Sequence, residues 1–234
     1  MKIAIIPARG GSKRIPQKNI KHFCGKPMLE YAVHAAVSSN LFDHIIVSTD
    51  CKSIKNVAES CGASVPFLRP AELSDDYTGT GAVVNHAIRW FEENVSQTDY
   101  VCCIYPTVPF LKGTDLIKAY EALLENPDKS FCFSVGRYAY PVQRALTFND
   151  KNELSMLFPH HVGTRSQDLK EVFHDAGQFY FGHSGAFIKN IQTFSSSSIP
   201  YFMSRERVLD IDNDEDWKQA ELMFELLKKK TNDS

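Results

Sequence analysis

The sequence predicts an α/β fold with a mostly parallel sheet flanked by helices. Short apolar, strand-like runs alternate with segments whose apolar residues recur at helical spacing. Proline and glycine punctuate the junctions, and the most distinctive polar motif directly follows the first apolar run. With 234 residues, of which 43% are hydrophobic and 23% charged, the chain can bury a substantial core, which excludes wholesale disorder.

Ile3–Pro7 is the first strand, followed by a polar loop from Ala8 to about Lys26. Pro27 suits the first turn of a helix that carries Leu29, Ala32, Val33 and Ala36 inward. His44–Ser48 reads as the second strand, Ser53–Cys61 as a helix stopped by Gly62, and Ser64–Leu68 as a third strand broken at Arg69-Pro70. Over Gly81–Asn94, Val83, Val84, Ala87, Ile88 and Phe91 share one helical face. Tyr100–Tyr105 is a buried central strand, ended by Pro106 and Pro109. Thr114 is placed to cap a helix running to Asn126, and Phe131–Val135 is the fifth strand. From Tyr138 to Phe173 no clean period appears. A stretch that long is a subdomain, lid or dimer arm rather than structureless loop. Gln178–Gly182 and Val208–Ile211 read as later strands, with the four-serine loop Ser195–Ser198 between them. A last helix buries Trp217, Ala220, Met223, Phe224 and Leu227 and ends in Lys228–Lys230.

A net charge of -2 argues against a general nucleic-acid binder. No apolar run approaches a membrane span, so a soluble, cytoplasmic protein is expected. The six cysteines form no C-x-x-C pair, and Cys102-Cys103 lies inside an apolar run, as structural thiols do. The eight histidines include no H-E-x-x-H, and the doublet His160-His161 reads as a solvated loop.

The strongest chemical signal is Arg9-Gly10-Gly11-Ser12-Lys13-Arg14, with Lys18-Asn19 following, at the end of the first strand, where open α/β sheets bind ligands. Gly10 and Gly11 let backbone N–H groups approach an anion, while Arg9, Lys13 and Lys18 supply charge. The pattern is neither a Walker A loop nor G-x-G-x-x-G, and a basic surface loop is the plain alternative. Its placement after the first strand favours phosphate binding. Asp210-Ile211-Asp212 is a second signal: residues two apart in a strand face one side, and two close carboxylates call for a shared cation such as Mg²⁺. The same residues also suit an acidic helix start, since Asn213, Asp214, Glu215 and Asp216 follow, and spacing alone leaves both readings open. Ser48-Thr49-Asp50, Arg69-Pro70-Ala71-Glu72-Leu73 and Tyr105-Pro106-Thr107-Val108-Pro109-Phe110 also fall at strand C-terminal ends; ordinary turn chemistry explains each alone, and their shared placement points to a composite pocket.

These residues sit in stretches that resemble one family along nearly the whole chain: IIPARGGSKRIPQKNI, GKPMLEYAV, FDHIIVSTD, GASVPFLRPAEL and RVLDIDNDEDW. The chain resembles the CMP-sialic acid synthetase family, the cytidylyltransferases that activate nonulosonic acids. The resemblance implies a nucleotide-diphospho-sugar transferase-like fold over residues 1–234, a single domain with a dimerisation arm at about 138–173. It implies a homodimer, CTP and a nonulosonic acid as substrates, Mg²⁺ as cofactor, and neither nucleic acid nor membrane as partner. Arg9, Ser12 and Asn19 match residues that hold cytosine and ribose, and Lys13 and Lys18 match those that hold triphosphate oxygens. Gly10, Gly11, Arg69 and Thr80 belong with the nucleotide.

Asp210 and Asp212 match the family's metal-associated carboxylates and, with Lys18, form the expected catalytic set. Tyr105, Gln143, Arg144, Arg165, Gln178 and Tyr180 are the expected sugar contacts, with Arg144 or Arg165 meeting the sugar carboxylate. The stretches IYPTVPFL, YPVQRAL and FHDAGQFYFG look like the branch acting on pseudaminic acid, with Tyr105 where sialic acid enzymes usually carry glutamine. An aromatic wall of Phe179, Tyr180 and Phe181 would suit that sugar's terminal methyl group. The alternatives are the same reaction on N-acetylneuraminic acid, legionaminic acid or Kdo, or a non-catalytic nucleotide-sugar binding module.

Overall fold

The computed structural model describes residues 1–232. β1 (Lys2–Pro7) is buried at its four central positions, with Ala4 and Ile6 facing one helical layer and Ile3 and Ile5 the other. That two-sided burial is why the run is apolar without alternation. A small hairpin follows, β2 (His22–Phe23) and β3 (Lys26–Pro27). Its turn residues Cys24 and Gly25 have φ of 45° and 92°, the doubly positive geometry that two-residue hairpin turns require. Gly25 is therefore turn chemistry.

α1 (Met28–Ser39), β4 (His44–Ser48), α2 (Lys52–Ser60), α3 (Thr80–Asn94), β5 (Tyr100–Ile104), α4 (Gly113–Glu125) and β6 (Phe131–Arg137) then alternate. The hairpin β7 (Leu146–Phe148) and β8 (Leu154–Met156) precedes the long β9 (Phe173–His183), α5 (Ser184–Ile188), β10 (Ser198–Phe202) and α6 (Asp214–Asn232). Among the described residues the main sheet has six strands in the order β10-β6-β9-β5-β1-β4, with β9 antiparallel to both neighbours and the other pairings parallel. α1, α2 and α4 contribute to the core on one face, and α3 and α5 to that on the other.

The two faces explain the cysteines. Cys102 and Cys103 are adjacent in β5 and so point to opposite cores, and among the described residues all six thiols are free. Burial pushes the thiols of Cys103 and Cys132 up to about 12, which keeps them protonated and inert.

Four expected elements differ. Ser64–Leu68 is not a regular strand: it touches β4 only through bridges at Ile46↔Ser64 and Thr49↔Leu68, because Pro66 lacks a ladder donor. Thr114 does not cap α4. Lys112 occupies that position, and the Asp115 carboxylate accepts from its backbone N–H at 2.9 Å. The serine stretch ends in an edge strand, β10, whose Pro200 is tolerated at a sheet edge and hid the strand in the sequence. Among the described residues Val208–Ile211 pairs with no strand, and it leads without regular structure towards α6.

A buried ion pair anchors that segment. Arg207 donates from Nη1 and Nη2 to Asp115 at 2.7 and 2.9 Å, and the Tyr201 hydroxyl adds a third bond at 2.8 Å. Burial alone would raise the Asp115 carboxyl, but bonds from Arg207, the Lys112 N–H and Tyr201 hold it below its ordinary value. Asp115→Ala is expected to lower stability by about 3–5 kcal/mol, since it strands a buried guanidinium. A carboxyl depressed in the folded state stabilises above its unfolded pKa and loses that contribution as pH falls through the folded value. Denaturant unfolding between pH 7 and pH 3 should therefore show the variant's deficit shrinking towards acid. An unchanged midpoint at pH 7 would contradict this account.

Residues 138–172 form a satellite of short 3₁₀ turns around the β7–β8 hairpin. His160-His161 lies in one of these turns. Among the described residues no helix is long and apolar enough to cross a membrane.

Candidate active site

The cationic loop leaves β1 at Pro7 and wraps over the C-terminal ends of β1, β4 and β5. Its course is held by local bonds. Asn19 Nδ2 donates to the Arg9 carbonyl at 2.9 Å, Lys18 N–H to the Ile15 carbonyl at 3.2 Å, and Gly10 N–H to Asp50 Oδ1 at 2.7 Å. Gly10 is required sterically, because a Cβ there would lie 2.9 Å from the Cβ of Cys51. Gly11 meets no such crowding.

Beneath the loop is a cavity of about 310 Å³. Of the expected nucleotide residues, Arg9, Ser12, Lys18, Asn19, Arg69 and Thr80 line it, and Tyr105 joins them from the end of β5. Lys13 does not line it and is exposed, ion-paired with Asp76. Gly10 and Gly11 shape the loop without lining the cavity. Arg69 is buried and fixed by donating to the Ser48 hydroxyl at 3.1 Å and to the Ser48 carbonyl. Arg14, Asp76 and Thr78 also line this cavity, and the sequence reading gave them no role. Asp76 binds Arg9 at 2.6 Å across 67 positions of sequence, a pairing with no local signature.

The acid segment meets this loop through a small separate core. Ile15 from the loop and Ile211 from between the two aspartates pack in one cluster with Phe23, Met28, Phe110, Trp217 and Ala220. Ile211 is buried between an exposed Asp210 and a half-exposed Asp212, and both carboxylates act on the Lys18 ammonium. Asp212 is 2.7 Å from Arg14 and 3.7 Å from Lys18. Burial lowers the Lys18 ammonium below its ordinary value, against the pull of Asp212 and Asp210. The helix-start reading holds alongside. Asn213 Oδ1 accepts from the N–H groups of Glu215 and Asp216, while Asp216 Oδ2 accepts from those of Asp212 and Asn213.

A larger cavity, about 510 Å³, adjoins the first and shares Thr80 and Tyr105 with it. Their hydroxyls lie 3.3 Å apart at the junction. Of the expected sugar contacts, Tyr105 and Tyr180 line the larger cavity, and Tyr180 donates to Asp175 at its edge. Gln178 does not: it is 3% exposed and donates to the Arg207 carbonyl at 2.6 Å. A register shift between β6 and β9, with Ser134 Oγ accepting from the N–H groups of both Gln178 and Phe179, breaks the alternation that would have put it on the Tyr180 face.

Gln143, Arg144 and Arg165 lie in the satellite and line neither cavity. They bond instead to the Lys170 carbonyl, the Thr164 carbonyl and Asp168. Phe179 and Phe181 are wholly buried in the opposite core, so the aromatic wall is made by Tyr180 with Phe131, Phe187 and Phe194.

Among the described residues no three His, Cys, Asp or Glu side chains cluster to hold a metal. Two carboxylates near Lys18, which itself lines the cavity, nevertheless fit Mg²⁺, which takes few protein oxygens and completes its shell with phosphate and water.

A cation-lined cavity at the carboxyl ends of parallel strands, with Asp212 against two of its lining cations, is the arrangement of a nucleotide-binding α/β protein. The chain belongs to the cytidylyltransferase family, whose profile, described as Cytidylyltransferase, matches residues 3–231. It is 42% identical over 224 residues to the pseudaminic acid cytidylyltransferase of Campylobacter jejuni, covering 96% of both chains. It is 30% identical to the CMP-N,N'-diacetyllegionaminic acid synthase of Legionella pneumophila, again over 96% of each. In fold it is similar to a CMP:2-keto-3-deoxy-manno-octonic acid synthetase solved with CTP, at a TM-score of 0.70 and 13% identity, covering 96% of this chain and 98% of that one.

Proposed function

We propose that this chain transfers CMP from CTP to the anomeric 2-hydroxyl of pseudaminic acid, giving CMP-pseudaminic acid and pyrophosphate. The observation that carries the reading is the meeting of two cavities at Thr80 and Tyr105, one rich in fixed cations and the other walled by aromatics. The nucleotide occupies the first and the sugar the second, which brings the 2-hydroxyl oxygen to the α-phosphorus at their junction. The new O–P bond forms as the bond to the β-phosphate oxygen breaks, and pyrophosphate leaves with that electron pair. The hydroxyl proton passes to solvent.

Lys18, Arg9 and Arg14 offset charge on the phosphoryl oxygens and the leaving group. Arg69 and Asn19 hold the loop and strand ends that orient the nucleoside, so positioning supplies much of the remainder. Mg²⁺ held by Asp210 and Asp212 would neutralise phosphate charge. Pyrophosphate release from CTP, measured with a panel of nonulosonic acids with and without Mg²⁺, tests the reading. Release that requires both sugar and metal supports it, whereas nucleotide binding without release points to a binding module.

The resemblance to relatives named for pseudaminic and diacetyllegionaminic acids favours a sugar of that class. The apolar cavity wall suits a terminal methyl group where N-acetylneuraminic acid has a hydroxyl.

Assembly as a homodimer through the 138–173 arm belongs to the same proposal. Tyr140, Phe148, Leu154 and Leu157 are 81, 65, 63 and 52% exposed there, an apolar surface that one chain leaves uncovered. Arg144 and Arg165 reach neither cavity of their own chain, so any contact with the sugar would come across a subunit interface. Light scattering at micromolar concentration is expected to give the dimer mass, and Phe148→Asp with Leu154→Asp to shift it towards monomer. A monomer mass for the unaltered chain would contradict the arm assignment.

A further inference from the structure

The lining of the larger cavity extends past its junction with the nucleotide cavity to an amide pair that the proposed reaction has not used. Asn85 lies five residues beyond Thr80 on α3, about 7.5 Å further along the helix axis. Its Nδ2 donates to Asn190 Oδ1 at 3.1 Å, while its Oδ1 is buried with no hydrogen-bond partner. Asn190 stands just past α5 with φ of 51°, a left-handed conformation that asparagine adopts more readily than most residues. A buried amide oxygen without a protein partner is costly unless another group meets it, and this one belongs to a residue lining the cavity.

The pair therefore offers one acceptor, Asn85 Oδ1, and one donor, Asn190 Nδ2. Rotating both amides by 180° exchanges the roles and preserves the complement. Val84, Phe131, Phe187 and Ile191 are apolar neighbours in the lining, Gln192 and Thr193 are uncharged, and among the described residues the one charged lining side chain, Asp175, bonds to Tyr180. A carboxylate, phosphate or ammonium would find no counter-charge at this end. A secondary amide with a small apolar cap matches: its N–H reaches the orphan oxygen, its carbonyl takes the free amide N–H, and its methyl meets the apolar wall.

We infer that Asn85 and Asn190 bind an acetamido group on the exocyclic side chain of the sugar. With the anomeric carbon at the Thr80–Tyr105 junction, that side chain is the part of a nonulosonic acid furthest from the reacting centre. It is also where pseudaminic acid carries a second acetamido group and N-acetylneuraminic acid a hydroxyl. The pair is thus a specificity determinant for diacetamido sugars. This rests on the assignment of the larger cavity to the sugar.

The test is steady-state kinetics of the full chain and of Asn85→Leu and Asn190→Ala, with CTP and each of the two sugars. Asn85→Leu is expected to lower kcat/KM for pseudaminic acid about ten- to a hundredfold, mostly through the sugar KM. The ratio of pseudaminic to N-acetylneuraminic kcat/KM should fall about tenfold or more, with the KM for CTP unchanged. Asn190→Ala, at an exposed position just past α5, should move the same ratio in the same direction by less. An equal loss on both sugars, or an unchanged ratio in both variants, would overturn the inference while leaving the cytidylyltransferase reading standing. Absence of turnover by the unaltered chain with either sugar would instead overturn the reading beneath it, and this inference with it.

Discussion

Asp212→Asn is expected to lower kcat about a hundredfold or more while the chain stays folded. The carboxylate faces outward beside Lys18 and Arg14, 3.7 and 2.7 Å away, and its own backbone position does not depend on its charge. The Asp212 N–H is held by Asp216 Oδ2 at 2.9 Å, and the neighbouring Ile211 is sunk in the core that joins loop and segment. An amide therefore keeps the geometry and removes the charge. Turnover should fall at every Mg²⁺ concentration, with the thermal midpoint close to that of the unaltered chain. Near-normal turnover at limiting Mg²⁺ would remove Asp212 from the reaction and leave the acid cluster as a helix start.

Lys18→Ala should have the second large effect, about a hundredfold on kcat with a smaller change in the KM for CTP. Lys18 is only 16% exposed, its ammonium is flanked by the acid segment, and its loop is held by backbone bonds that alanine retains. The contrast is Asn19→Ala. Asn19 fixes the Arg9 carbonyl and lines the cavity, so its loss should raise the KM for CTP more than it lowers kcat. Small and equal effects from both substitutions would reduce the loop to a basic surface feature.

The parts legible in the sequence were those governed by local pattern. β1, α1, β4, α3 and β5 announce themselves through two-sided apolar runs and helical spacing, and the basic loop through its position after β1. The Asp210-Ile211-Asp212 spacing predicts an apolar residue buried between two carboxylates, and Ile211 is buried although the segment forms no strand. What stayed hidden depends on distant partners. β10 is an edge strand carrying a proline, and its pairing with β6 leaves no trace in its own residues. Gln178 was misplaced because a bulge, fixed by Ser134 more than forty positions away, interrupts the alternation of β9. Asn85 carries no signal in its own stretch of sequence. Its meaning comes from its bond to Asn190, 105 positions away, where both line the larger cavity.

The measurement that tests the central claim most directly is kcat/KM with CTP and Mg²⁺ for purified pseudaminic acid against purified N-acetylneuraminic acid. An apolar pocket rejects an added hydroxyl only modestly, whereas amide groups built to meet an acetamido substituent lose more when it is missing. The account predicts a clear preference for pseudaminic acid with measurable residual turnover of the other sugar. Equal values, or a higher value for N-acetylneuraminic acid, would contradict it.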